Sequence, residues 1–86
     1  MGKYLVNIYS VISQTNGDII RNGDLSKVFS ENALKLIKKT IKLVGYKYIG
    51  RSKDRYGNYY TSYERKSEYS TESCEIIIKA IITRLK

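Results

Sequence analysis

In the stretch Ser70-Thr71-Glu72-Ser73-Cys74-Glu75-Ile76-Ile77-Ile78-Lys79-Ala80-Ile81-Ile82-Thr83-Arg84-Leu85-Lys86, Ser70 or Thr71 stands where a helix N-cap belongs. Glu72 and Glu75 follow in the first turn, and Arg84 and Lys86 lie near the far end, as the helix dipole prefers. Ile77, Ile78, Ile81, Ile82 and Leu85, with Cys74, then make one apolar face at helical spacing. This reading predicts a second helix and so sets the expected architecture.

Working back toward Met1, Tyr46 to Lys53 and Tyr59 to Tyr69 read as a hairpin around Tyr56-Gly57-Asn58. With Gly57-Asn58 as a two-residue type II′ loop, Arg51 falls opposite Glu64, an opposite-charge cross-strand pair. That register puts Tyr46, Tyr48, Tyr59, Thr61 and Tyr63 on one side. Lys47, Arg51, Lys53, Tyr60 and Lys66 take the other, and a loop of odd length would mix the two sets. Before the hairpin, Ser30 caps a helix over Glu31 to Val44, with Glu31 at its positive end and Gly45 as its stop. Leu34, Leu36, Ile37, Ile41, Leu43 and Val44 fill a broad apolar face. Lys35, Lys38, Lys39 and Lys42 fall in a narrow arc away from it. Lys3 to Gln14 alternates like a strand, and Asn16-Gly17 signals a type I′ turn into a short return strand, Asp18 to Arg21. Asn22-Gly23-Asp24 breaks that strand.

The predicted order is β-β-α-β-β-α. It describes residues 1–86 as a single basic α+β domain of two layers, an antiparallel sheet with two helices on one face.

Composition limits the chemistry. The 86 residues include one cysteine, Cys74, and no histidine, so an internal disulfide, a His/Cys zinc site, and Ser-His or Cys-His catalysis are excluded. No P-loop or Gly-x-Gly phosphate cradle occurs. Of the acid pairs, Glu64 and Glu68 flank Lys66 on one strand face, and Glu72 and Glu75 suit a helix N-terminus. The expectation is a binding protein with no catalytic residues, metal or cofactor. The opening Met1-Gly2-Lys3-Tyr4-Leu5-Val6-Asn7 does not read as a signal peptide, Val6 departs from the myristoylation pattern, and no apolar run approaches a membrane span. A soluble protein in a reducing compartment, the cytoplasm, is expected, without a membrane partner.

Lys and Arg number 16 against 8 acids, a formal charge of +8. Such an excess favours nucleic acid or an acidic protein or ribonucleoprotein surface as partner. The arc Lys35, Lys38, Lys39 and Lys42 can neutralise phosphates. Lys47, Arg51, Lys53, Arg55 and Lys66 add charge along the second hairpin, where Tyr56 and Tyr60 offer rings for stacking bases. The leading expectation is a nucleic-acid-binding module. The alternative is a small virus- or phage-encoded inhibitor, similar in role to an anti-CRISPR antagonist of a host defence ribonucleoprotein, acting by protein–protein binding in the host cytoplasm. The high Lys, Ile, Tyr and Asn content, with no Pro, His or Trp, suits an AT-rich genome.

Two resemblances bear on this. Asn7-Ile8-Tyr9 and Tyr48-Ile49-Gly50 resemble the paired tripeptides of GIY-YIG nucleases, but Asn7 stands in place of the first Gly and a whole helix separates the two. Tyr48-Ile49-Gly50-Arg51, then Tyr56-Gly57-Asn58-Tyr59, a strand and a helix, resembles the DNA-binding hairpin of AP2-like domains without the tryptophan common in that family. That likeness implies a nucleic-acid contact from the hairpin.

Overall fold

A computed structural model describes residues 2–85, so the reading of Lys86 lies outside the described residues. The elements are β1 (Lys3–Gln14), β2 (Ile19–Ser30), α1 (Glu31–Leu43), β3 (Lys47–Lys53), β4 (Tyr59–Lys66) and β5 (Cys74–Leu85). The strands form one antiparallel sheet in the order β2-β1-β5-β4-β3.

The β-β-α-β-β-α expectation is therefore wrong in its last element. Residues 74–85, read as a second helix, are the central strand β5, and one helix, not two, lies on the sheet. Spacing misled because Ile77, Ile81 and Leu85 are four apart, a step that repeats on a helix and also on one face of a strand. Both faces of β5 are apolar, which hides the two-residue period. The five isoleucines and Thr83 are β-branched and favour the extended chain. The serine and threonine assigned as helix caps build a turn instead. Ser70 Oγ accepts from the Ile76 amide at 3.0 Å and donates to the Ile76 carbonyl at 3.1 Å, and Thr71 bridges Cys74 across Glu72-Ser73.

The hairpin turns also differ from expectation. Among the described residues no non-glycine residue has positive φ, which rules out the type I′ turn at Asn16-Gly17. In both hairpins three residues form the loop. The Gly17 amide bonds the Gln14 carbonyl at 3.0 Å and the Gly57 amide bonds the Asp54 carbonyl at 3.1 Å, with both glycines left-handed. This is the type I turn with a glycine bulge, and the Asp54 carboxylate secures it by accepting from the Tyr56 and Asn58 amides. The odd loop moves the register. Lys47, not Arg51, pairs with Glu64, while Arg51 faces Thr61 and Lys53 faces Tyr59, with a bulge between Tyr48 and Gly50. Nor does Asn22-Gly23-Asp24 end the return strand. β2 runs on through it to Ser30 past an irregularity opposite Ile8 to Ser10, where Arg21 and Asp24 pair at 2.8 Å.

Helix α1 starts after Ser30 as expected, but the Ser30 side chain makes no cap bond. The Glu31 amide is satisfied by the Gly2 carbonyl at 3.1 Å. At the other end the Gly45 and Tyr46 amides return to Lys42 and Ile41, with Gly45 at φ 98°, the reciprocal closure that favours glycine. The apolar face is narrower than predicted. Ile41 is buried and Leu34 and Ile37 half-buried, whereas Leu36 and Leu43 are 67% and 77% exposed and Val44 is also exposed. The core is Val6, Ala80 and Ile82 beneath Ile41, ringed by Tyr4, Ile8, Phe29, Leu34, Ile37, Tyr46 and Tyr63.

Registered neighbours share a face. Tyr4, Val6 and Ile8, with Ala80, Ile82 and Arg84, and Thr61 and Tyr63, therefore lie under the helix. Leu5, Tyr9 and Val11, with Ile77, Lys79 and Ile81, and Tyr60 and Glu64, lie on a face no element covers. Among the described residues no helix is long and apolar enough to cross a membrane.

Candidate functional site

Helix α1 packs over β2 and β1, and Leu34 and Lys38 on its flank face β3 and β4 across a cleft. Tyr4, Leu34, Lys38, Tyr48, Arg51, Tyr59, Thr61, Tyr63, Ile82 and Arg84 line this cleft of about 320 Å³. Three cations, Lys38 from α1, Arg51 from β3 and Arg84 from β5, meet four tyrosines there, and no acid lines it. Among the described residues, the only ion pair is Arg21 with Asp24, so these three cations have no carboxylate partner. An anion entering the cleft meets donors that are not already engaged.

The rings orient the charges. The Arg51 guanidinium lies 4.6 Å from the Tyr59 ring centre and the Lys53 ammonium 5.3 Å from the same ring. Such contacts hold a cation for about 0.5–1 kcal/mol each without using up its N–H donors. Tyr48 and Tyr63 meet edge to face at 5.9 Å, leaving Tyr48 62% exposed. An adjoining hollow of about 380 Å³ is walled by Lys38, Lys42, Tyr46, Tyr48, Tyr63 and Ile41, so basic and aromatic surface continues along the helix flank.

The predicted contact residues divide. Lys38 and Arg51 enter the cleft, Lys42 lines the adjoining hollow, and Lys53 joins through Tyr59. Arg55 and Tyr56 stand at the β3–β4 tip, with the guanidinium 5.3 Å from the ring. Lys47 and Lys66 flank Glu64 in a separate hollow, and Tyr60 shares the uncovered face, so these three are not part of the cleft. Lys35 and Lys39 are exposed and line none of these hollows. Sequence reasoning missed Arg84, taken for a helix-end residue, and did not single out Tyr4, Tyr48, Tyr59 or Tyr63 as contact residues. The alternation of Tyr59, Thr61 and Tyr63 was the available signal; the loop length that brings Arg51 to that face was not.

Burial, and then the neighbouring Tyr48, raise the Tyr63 hydroxyl above its ordinary value. The folded protein thus keeps this proton to higher pH than the unfolded chain. The corresponding stability is intact below about pH 10, the unfolded value, and is lost as pH rises through the folded one. Tyr63→Phe keeps the ring and cannot ionise, so urea midpoints of this variant should fall less steeply above about pH 10 than those of the parent. Parallel curves would refute the assignment.

No protein-family model, curated protein or solved structure matches the chain.

Proposed function

We propose that this chain is a non-enzymatic nucleic-acid-binding module whose cleft receives a single-stranded segment. The observation that carries the reading is the convergence of Lys38, Arg51 and Arg84 with Tyr4, Tyr48 and Tyr59 in one acid-free cleft. Phosphates are positioned by such cations and bases stack on such rings. A volume near 320 Å³ is of the size of one nucleotide, and single-strand bases are free to enter it. The half-buried free thiol of Cys74 is compatible with a reducing cytoplasm.

Titration of fluorescent single-stranded and duplex oligonucleotides of DNA and RNA at several salt concentrations tests the proposal. Three phosphate contacts predict a slope of log affinity against log salt of about −2 for single strands. Single strands should also bind more tightly than duplex. A slope near zero, or a preference for duplex, overturns the reading. A second reading, a virus- or phage-encoded inhibitor that engages an acidic protein or ribonucleoprotein surface, draws support from the hairpin tip. There Tyr56 is 73% exposed beside Arg55, the pairing of residue types common at interface hot spots. Salt-insensitive oligonucleotide binding would leave that reading standing.

A further inference from the structure

The uncovered face of the sheet asks for a partner of its own. Ile76-Ile77-Ile78 and Ala80-Ile81-Ile82 are continuous apolar runs, the pattern of a strand buried on both sides. Only one side of β5 is covered. Ala80 and Ile82 are buried under α1, whereas Ile77, Ile81 and Leu85 on the far side stay partly exposed beside Leu5 and Val11 of β1.

The whole molecule shows the same shortfall. Its accessible surface is 6514 Å² for 10.0 kDa, whereas a compact monomer of that mass exposes roughly 5,200 Å². Its radius of gyration is 14.1 Å, against about 12 Å for a compact domain of this length. The excess surface, about 1,300 Å² by that scaling, exceeds the roughly 800 Å² that each partner contributes to a stable interface. Among the described residues no large side chain is fully buried.

We infer that this face packs against the same face of a second copy of the chain. The two sheets lie back to back about a two-fold axis, with both helices outside. The occupant follows from the chemistry of the face. Leu5, Val11, Ile77 and Ile81 surround one central ring, Tyr9, which is already stacked under the Arg21 guanidinium at 3.7 Å. Tyr60 stands apart at the start of β4, so the face offers bases no continuous stacking platform. Of its central cations, Arg21 is paired with Asp24 at 2.8 Å and Lys79 is registered opposite Glu64. The missing cover belongs to the fold itself, and a second copy is the partner present wherever the chain is made. Both basic clefts, lying on the helix side, stay open in such a pair, so this inference stands apart from the proposed function.

Sedimentation equilibrium across a dilution series should give twice the 10.0 kDa chain mass. The double variant Ile77→Thr/Ile81→Thr keeps β-branching while removing apolar contact, and should sediment at the single-chain mass with a sheet-type circular dichroism spectrum. A monomeric parent overturns the inference, and so does a variant that remains dimeric. Should the variant not fold, isoleucine-methyl spectra of the unmodified chain with a soluble gadolinium chelate decide the matter. Ile77 and Ile81 signals should be shielded as well as that of buried Ile82. Broadening like that of Ile20, exposed on the other face, overturns the inference.

Discussion

Reversing two cleft charges together, Arg51→Glu with Arg84→Glu, should weaken binding of a single-stranded oligonucleotide by about 100-fold at low salt, equivalent to about 2.7 kcal/mol. Each substitution removes a donor from the cleft and puts a carboxylate in its place, so attraction to a phosphate becomes repulsion. The two residues come from different strands, β3 and β5, yet line the same cavity. Their combined effect should therefore fall on one ligand position. Both side chains are exposed and have no carboxylate partner among the described residues, so the fold should survive. Loss of the Arg51–Tyr59 contact costs only about 0.5–1 kcal/mol. Lys35→Glu with Lys39→Glu changes net charge by the same amount outside the cleft and serves as the control. Fluorescence anisotropy should show a several-fold smaller loss for the control. Equal losses would mean that net charge, not the cleft, drives binding, and affinities within twofold of the parent would remove the cleft from the mechanism.

The choice of residues for that experiment depends on features only partly legible in the sequence. The first strand, the helix with Gly45 at its end and the second hairpin were readable, because each has a local marker: alternation, a left-handed glycine stop, or a glycine turn. Face assignment was not. Whether Arg51 accompanies Tyr59 or Tyr60 depends on whether the loop holds two residues or three, and Tyr56-Gly57-Asn58 is compatible with either. The Asp54 carboxylate, bonding the Tyr56 and Asn58 amides, favours the longer loop. It was the signal to weigh, since aspartate at the first position of a type I turn has a mechanism behind it. The bulge at Tyr48 to Gly50 then restores Tyr48 to the same face as Tyr63. No residue pattern forecast it.

The misread element offers the sharpest single-site test. On the helix first expected over residues 70–86, Ala80 lies outside the apolar face formed by Ile77, Ile78, Ile81, Ile82 and Leu85. Ala80→Glu would there be harmless, since glutamate is a good helix former. In the sheet, Ala80 is 0% exposed, set between Ile8 on β1 and Tyr63 on β4 and part of the core cluster with Ile41. A glutamate at that position must fit four additional non-hydrogen side-chain atoms into packed space and leave a carboxylate with no cation in the core cluster. Overpacking costs about 1–3 kcal/mol and an unpaired buried charge about 3–5 kcal/mol more. A chain of this length has about 4–13 kcal/mol of stability in total, and four buried hydrophobic residues put this one toward the lower end. Ala80→Glu is therefore expected to abolish the cooperative thermal transition. Arg84→Glu, four residues along on the same face but exposed, should retain it. Circular dichroism melts of the two variants decide the matter: an Ala80→Glu protein melting within a few degrees of the parent would reject Ala80 as the centre of the core and, with it, β5 as the central strand.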